Sequence, residues 1–327
     1  MAQYPSMLDM ANAMDPDGSV AAVAEVLNQT NEAMADWSFM EGNLPTGHRS
    51  TIRTGIPNGT WRRLYQGVQP TKSTRAQVTD TTGMLEAYNQ IDVREANLNG
   101  NSKEFRLSEA TAQIEGMGQD LVETLFYGNT TINPERFDGF AVRYNDKAAA
   151  NGENIVDAGG TGSDNRSIWL VVWGDMTCHG IVPKGSTSGI QINDKGQDTV
   201  RNADGSQYEA YVTHFAVDAG LVLKDWRYVV RIANIDFSAL SADVASGGAN
   251  LASLMFEAIE RIPNLSRGNA VFYMARAVLT KFRQQLASGT KNSTLEYQNI
   301  GGHRTATWND IPLRRVDRLA VDEAQVT

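Results

Sequence analysis

The sequence predicts an α+β protein, and three features lead to that fold class. A long amphipathic helix pattern covers residues 102–127. From Ser167 onward, β-rich runs alternate with Gly- and Asp-containing turns. Residues 42–79 contain no Asp or Glu and have the composition of an extended hairpin. With 327 residues, of which 41% are hydrophobic, the chain can form one large or two ordinary domains.

The first predicted element is a helix from Ser19 to Trp37, preceded by a short arm. Its apolar side chains recur at helical spacing and form one stripe: Val20, Val23, Val26, Leu27, Met34 and Trp37. Asp17 or Ser19 can accept hydrogen bonds from the free amides of the first turn, which predicts the helix start.

The stretch without carboxylates, residues 42–79, is also basic. Six of the chain's 29 Lys and Arg residues lie in it, which leaves 23 against all 38 acidic residues elsewhere. These six are Arg49, Arg53, Arg62, Arg63, Lys72 and Arg75. Such a split favours binding of this stretch to an acidic surface, for which a neighbouring copy of the chain is the natural candidate. A chance gap between acidic residues is the alternative.

The same stretch predicts a two-stranded hairpin. Ser50 to Ile56 and Thr60 to Val68 are rich in Thr, Ile, Trp, Leu and Tyr, and the turn residues Pro57, Asn58 and Gly59 separate them. An isolated hairpin is marginally stable in water. We therefore expect this hairpin to pack on another surface.

The helix from Ser102 to Tyr127 has one apolar face. Its stripe consists of Leu107, Ala110, Ile114, Met117, Leu121 and Leu125, and its acidic residues, Glu104, Glu109, Glu115, Asp120 and Glu123, lie largely off that stripe. Asn101 is the predicted cap, and Gly128 is the predicted stop. Gly116 and Gly118 are poor helix formers, so we expect a bend or a close backbone contact there.

The remainder of the chain predicts a mixed sheet with two helices. The predicted strands are Ile168 to Trp173, Tyr208 to Val217, Tyr228 to Ile235 and Ile311 to Leu319. The predicted helices run from Leu251 to Ile262 and from Val271 to Leu286. Pro312 lacks an amide donor, which predicts an edge or bulged position for the last strand.

No catalytic, cofactor or metal signature is found in the sequence. The four histidines are scattered, without the i, i+4 spacing of a helical metal site: His48, His179, His214 and His303. The run GSTSG at 185–189 has Thr where an esterase needs Ser. Cys178 is the only cysteine, which excludes an internal disulfide, and a buried Cys178 beside a surface His179 is the favoured interpretation of that pair.

Composition also limits the partners. No apolar run approaches the ~20 residues of a membrane helix, and the N-terminus has no signal-peptide pattern, so we expect synthesis in the cytosol and no membrane partner. A net charge of −9 argues against broad, sequence-independent DNA binding.

Four stretches carry a resemblance to a known family: MEGNLPTGHRSTIRTGIPNGTWRRLYQGV (40–68), AQVTDTTGMLEAYNQID (76–92), LVETLFYGNTTINPERFDGF (121–140) and DWRYVVRIANID (225–236). With the helix from Ser19 to Trp37, they resemble the major capsid proteins of tailed bacteriophages, which have the Hong Kong 97 (HK97-like) fold. The similarity extends from Leu8 to Leu319. The resemblance implies a structural protein that forms the icosahedral head shell around double-stranded DNA.

The resemblance also implies a domain organisation. It assigns residues 1–41 to an N-terminal arm and helix, and 42–92 to an extended loop. Residues 93–166 and 300–327 would form a peripheral domain with the spine helix 102–127. Residues 167–299 would form an axial domain that meets its copies at the centres of hexamers and pentamers.

The implied inter-subunit residues of the extended loop are Arg49, Arg53, Trp61, Arg62, Arg63, Leu64, Tyr65, Lys72 and Arg75. The acidic candidates on a neighbour are Glu109, Glu115, Asp120 and Glu123. Exposed ion pairs contribute only ~0–1 kcal/mol each, so apolar residues of the loop, among them Ile52 and Ile56, are expected to contribute more of the affinity.

The implied partners are many copies of the same chain, with portal, scaffold and cement proteins, and packaged DNA without sequence-specific binding. The chain is expected to have no enzymatic activity and no cofactor, to be made in the host bacterial cytoplasm and to end in the virion. The loop begins by Gly42, so we expect no N-terminal scaffolding segment, and we expect no covalent cross-link through Lys72. A nanocompartment shell of the encapsulin type is the alternative function, followed by an enzyme of unknown type.

Overall fold

The computed structural model describes residues 31–98, 102–186, 189–241, 248–289, 295–300 and 303–327. Most of the helix predicted from Ser19 to Trp37 lies outside these ranges, as does the predicted cap Asn101. Within them, the first helix is the short Ala33–Asp36.

Six α-helices and thirteen strands occur in the described part of the chain. The helices are α1 (Ala33–Asp36), α2 (Val93–Asn97), α3 (Ser102–Tyr127), α4 (Phe140–Arg143), α5 (Leu251–Glu260) and α6 (Arg276–Gly289). The first strands are β1 (Phe39–Glu41), β2 (Gly47–Gly55), β3 (Thr74–Asp92), β4 (Ile155–Asp157), β5 (Asn165–Trp173), β6 (Cys178–Val182) and β7 (Gln191–Arg201). The remaining strands are β8 (Gln207–Leu223), β9 (Val229–Asp236), β10 (Asn269–Met274), β11 (Leu295–Ile300), β12 (His303–Trp308) and β13 (Ile311–Arg315).

The chain forms two compact units. The smaller one contains residues 84–121 and 189–218, and the larger one contains the described residues of 30–83, 122–188 and 219–327. In the smaller unit, β7 pairs antiparallel with β8. In the larger unit, β5 pairs antiparallel with both β9 and β10, and β13 lies parallel to β10. Strand β6 pairs parallel with β1 and, at Cys178 opposite Trp173, with the end of β5. It also pairs antiparallel with the end of β8.

The core of the larger unit is built around β5 and β9, whose sequences are almost continuous runs of apolar, β-branched residues. Trp169 on β5 is fully buried and lies against Phe126, Phe140 and Tyr144. Continuous rather than alternating apolar residues are typical of strands that are covered on both faces. No helix of the described ranges is long and apolar enough to cross a membrane.

Helix α3 has the bounds that the sequence predicts, Ser102–Tyr127. Its apolar stripe is buried toward the end of the helix, where Met117, Leu121 and Leu125 lie, whereas Leu107 is 68% exposed. A Cβ atom at Gly116 or Gly118 would meet no described atom within 4 Å. The close backbone contact expected at these glycines is therefore not found in the described part of the chain.

The second strand predicted for the hairpin, Thr60 to Val68, is wrong. The strand that pairs with β2 is β3, in a register that runs from Gly47 opposite Thr81 to Gly55 opposite Thr74. Residues 56–73 contain no strand. Tyr65 has a φ of 64°, a left-handed conformation that interrupts an extended strand, and the Gln66 amide donates to the Arg63 carbonyl across a turn.

Two further predictions for the C-terminal half are corrected. Val271 belongs to β10 rather than to a helix, because Ala270 to Tyr273 pair with β5, and α6 begins only at Arg276. Pairing in the sheet overrides the helical spacing of the apolar residues here. The last strand ends at Arg315 rather than at Leu319.

Pro312 does not lie on an edge strand, because β13 lies between β12 and β10. The missing amide is accommodated at the start of the strand instead. The pairing of β13 with β10 begins after the proline, at Leu313, and its pairing with β12 is limited to Ile311 and Pro312.

Candidate functional site

The candidate site is the hairpin formed by β2, the connection 56–73 and the first part of β3. We call the paired residues the shaft and residues 56–73 the tip. Along the shaft, Arg49 lies opposite Thr79 and donates from Nε to its Oγ1 over 3.3 Å. Arg53 lies directly opposite Arg75. Like charges at directly opposite positions destabilise a strand pair, so this pair of arginines does not stabilise the shaft.

The tip presents large apolar side chains to solvent. Trp61 and Tyr65 are fully exposed, and Leu64 is 88% exposed. Ile56 and Val68 are exposed as well. Contiguous exposed apolar residues of this size, interspersed with arginines, are typical of protein–protein contact sites.

A local turn fixes how the tip presents these side chains. Arg63 donates from its amide to Gln66 Oε1 over 3.2 Å, and the Gln66 amide donates to the Arg63 carbonyl over 3.2 Å. Arg62 donates from Nη1 to the Gln66 carbonyl over 3.4 Å. Thr71 Oγ1, beside the exposed Lys72, donates to the Asn58 carbonyl and joins the two sides of the tip.

The hairpin cations whose side chains the structure describes are Arg49, Arg62, Arg63, Lys72 and Arg75. None of them forms an ion pair with a described residue of the chain. Eleven ion pairs do occur among the described residues, so the charges of the hairpin stand apart from a chain that otherwise pairs many of its cations. The hairpin therefore presents uncompensated positive charge.

The base of the shaft is anchored in the larger unit by Asp80, a buried residue of β3. Arg143 on α4 donates from Nη2 to Asp80 Oδ1 over 2.8 Å and to the Leu221 carbonyl over 3.3 Å. Sequence reasoning missed both residues. The available signal was Asp80 itself, the first carboxylate after the carboxylate-free stretch and one that lies within a strand.

The four acidic candidates on α3 differ in their surroundings. Glu109 and Asp120 are exposed and Glu115 is half-buried. The negative charge of Glu109 contributes, after burial, to raising the pKa of Glu95. Glu123 lies in the larger unit, where it accepts from Arg318 Nε over 2.8 Å and lies 3.5 Å from Arg136 Nη1. Glu123 is therefore already neutralised within its own chain.

The predicted pair of a buried Cys178 and a surface His179 is half right. Cys178 is buried, and burial raises the pKa of its thiol. His179 is buried too, because β6 is covered on both faces by neighbouring elements. The described residues contain no group of three or more His, Cys, Asp or Glu side chains arranged to hold a metal ion.

Comparison with known proteins gives consistent matches. A sequence profile of the family described as Major capsid protein GP7 matches residues 15–327. A chain of the solved structure of bacteriophage Epsilon15 is 32% identical, with a TM-score of 0.79, and the match covers 100% of this chain and 98% of that chain. No curated protein sequence matches significantly.

Two more distant solved structures are also similar. The match to the bacteriophage JBD30 capsid has 10% identity and a TM-score of 0.50, and covers 90% of this chain and 93% of that chain. The match to the holo-SrpI encapsulin complex of Synechococcus elongatus PCC 7942 has 8% identity and a TM-score of 0.42, and covers 62% of this chain and 87% of that chain.

Proposed function

Because this chain belongs to the major capsid protein GP7 family, we propose that its hairpin is the part of each subunit that holds a neighbouring copy in the shell. The chain is a phage major capsid protein with the α+β, HK97-like fold, and its copies assemble into the icosahedral shell of the virion. The predicted family is thereby confirmed. Since the profile and the Epsilon15 match extend over nearly the whole chain, the capsid function stands and the nanocompartment alternative does not.

The exposed tip is the observation that supports this contact. In the described chain, Trp61, Leu64 and Tyr65 remain in water. An aromatic side chain buries roughly 150–250 Å² when it is covered, at about 25 cal/mol per Å². Covering Trp61 and Tyr65 on a neighbour therefore contributes several kcal/mol before the entropic cost of association. In a shell the contact is repeated on every copy, so a modest affinity per contact is sufficient.

The cations of the hairpin then decide where the tip binds. Exposed ion pairs add only ~0–1 kcal/mol each, but they favour one register and disfavour like-charged surfaces. Glu109, on the exposed face of the neighbour's α3, is the first candidate to receive them, with Glu115 and Asp120 as further candidates. Glu123 contributes less because its own chain already pairs it.

The family assignment supports a wider proposal for the whole chain. Residues 42–92 would be the extended loop, and α3 the spine helix of a peripheral domain comprising 93–166 and 300–327. Residues 167–299 would be the axial domain that meets its copies in hexamers and pentamers. Portal, scaffold and cement proteins would be further partners, with synthesis in the host cytoplasm. The role is structural rather than enzymatic, and packaged DNA is enclosed without sequence-specific binding.

Charge reversal at the tip tests the contact. The double variant R62E/R63E should remain folded, because both side chains lie outside the packed core, but it should lose closed shells. Shell yield is measured by sedimentation and negative-stain microscopy, and folding by circular dichroism. A variant with the same change of net charge away from the hairpin, R201E/R267E, is the control and should still assemble. A normal shell yield from R62E/R63E would contradict the proposed contact.

A further inference from the structure

Polar side chains, three of them buried and two half-buried, meet at the base of the hairpin, in the larger unit. We call His48, Ser50, Asp80, Arg143 and His179 the root cluster. They come from β2, β3, α4 and β6, and Asp80 lies directly opposite His48 in the strand pair. The rings of His48 and His179 lie 6.1 Å apart between centroids, at 81° to each other. This edge-on contact joins β2, which leads into the hairpin, to β6 in the core.

Every member of the root cluster has a buried polar atom without a hydrogen-bond partner among the described residues. These atoms are His48 Nδ1, Ser50 Oγ, Asp80 Oδ2, Arg143 Nε and both ring nitrogens of His179. Buried polar groups are normally satisfied, and an unsatisfied group costs about 1–3 kcal/mol. A concentration of such groups at one place is unusual in an otherwise apolar core.

The charged groups around the two imidazoles oppose their protonation. Lys224, just beyond the end of β8, acts on both rings with a positive charge. A positive charge on His48 also opposes protonation of His179, whereas Asp175 and the Gly174 backbone favour it, and Asp80 favours protonation of His48. Asp80 is also paired with Arg143, over 2.8 Å. Burial is the largest effect, and with Lys224 it lowers the pKa of His179 to about 4 and also lowers the pKa of His48.

We propose that the root cluster is an acid-sensitive joint at which β2 separates from both β6 and its partner strand β3 when the two histidines take up protons. In the closed arrangement both rings are neutral, because an imidazolium would be withdrawn from water and would face the positive charge of Lys224. Opening exposes the rings to water, where they accept protons readily. Acid therefore favours the open arrangement.

The pH range in which the joint opens follows from the lowered pKa of His179. The open ring has a pKa near 6.5, whereas the closed His179 has a pKa of about 4, so the open form binds more protons between these values. The closed form is fully favoured above pH 6.5 and loses its advantage progressively as the pH falls toward 4. Because β2 begins the hairpin, opening would free the base of the segment with which one subunit holds the next.

Hydrogen exchange of the full-length protein tests the joint at pH 7 and pH 5, after correction for the intrinsic pH dependence of exchange. Protonation of His179 alone should lower the protection of β2 amides roughly twentyfold when the pH falls from 7 to 5. Amides of β9 in the central sheet should keep their protection. An unchanged β2, or an equal loss in β9 that indicates general unfolding, would overturn the proposal. The measurement needs no shells, so it is independent of the contact proposed for the tip.

Matched histidine variants sharpen the test. H48Q/H179Q removes both titrating rings and should abolish the pH response of β2. H214Q is the control, because His214 lies in the smaller unit, where its Nε2 is 3.1 Å from Glu86, and it should respond as the natural chain does. A pH response that survives in folded H48Q/H179Q would sink the assignment to these histidines. Should that variant fail to fold, the comparison of β2 with β9 in the natural chain still decides the question.

Discussion

Arg231 donates from Nη2 to Glu323 Oε2 over 2.6 Å in the interior of the larger unit, where the two side chains are only 5% and 6% exposed. Tyr127, the last residue of α3, donates to the other carboxylate oxygen over 2.6 Å, and Ser167 donates to Oε2 as well. Burial and the charge of Glu323 raise the pKa of the Tyr127 hydroxyl. One carboxylate thus ties the segment that follows β13 to α3, β5 and β9.

Neutralising this carboxylate should destabilise the subunit. In E323Q the side chain keeps its shape, but Arg231 is left buried without a counter-charge, and breaking a buried pair in this way costs about 3–5 kcal/mol. Urea unfolding of the unassembled subunit measures the loss. D322N makes the same replacement of a carboxylate by an amide at the neighbouring, exposed residue. This variant should unfold at the same urea concentration as the natural chain. Equal midpoints for the two variants would show that the pair does not stabilise the fold.

Truncating Trp61 at the tip should weaken assembly without affecting the folding of the subunit. W61A removes a side chain that is fully exposed, so the free energy of unfolding of the subunit should change by less than about 0.5 kcal/mol. Shells should become less stable, because the contact with the neighbour loses its largest apolar anchor. The denaturant concentration that dissociates assembled shells gives the readout, and W61F should fall between the two. Shells of W61A as resistant as natural shells would exclude Trp61 from the contact.

A change in the shaft should have opposite effects on the subunit and on the shell. R75E places a carboxylate directly opposite Arg53. The cross-strand pair then gains roughly 0.2–1 kcal/mol, which hydrogen exchange of the Ala76 and Gln77 amides would report as slower opening. Assembly should weaken, because a cation intended for the neighbour is lost. R75Q, which removes the same cation without adding a carboxylate, is the control: it should weaken assembly without slowing the exchange of these amides.

Closure of the shell should be non-covalent. Lys72 is the only lysine of residues 42–79, and it is exposed at the tip. Boiled shells should therefore run as monomers on denaturing gels, and K72R, which keeps the charge, should assemble normally. Ladders of covalent oligomers that disappear in K72R would contradict this expectation.

Helices and strands were predictable where the local sequence pattern favours the same element that the tertiary packing requires. The bounds of α3 follow from helical spacing and end signals, and the central strands follow from runs such as IWLVVW. Val271 was misassigned because an apolar residue at helical spacing also fits a strand that is buried on both faces. The pairing of β10 with β5 decides between the two, and that pairing is not local.

The sequence singles out the candidate hairpin by its composition but does not give its strand pairing. The absence of carboxylates was sufficient to single out residues 42–79, and the described cations there are indeed without ion pairs in the described chain. The return strand was misplaced, since local propensity favours Thr60 to Val68 although the register of β2 selects Thr74–Asp92. The root cluster could not be predicted, because the packing of His48 against His179 depends on elements that are distant in sequence.

The arginines of the exposed tip have a further consequence for the life of a newly made subunit. Arg62 and Arg63 lie in an exposed connection without regular structure, the kind of segment that proteases cut first. On the proposed contact, a neighbour covers this peptide bond as soon as the subunit joins a shell. A subunit would then be cut by trypsin between its synthesis and its assembly and would resist trypsin afterwards, so limited proteolysis of a crude lysate would distinguish free subunits from assembled ones.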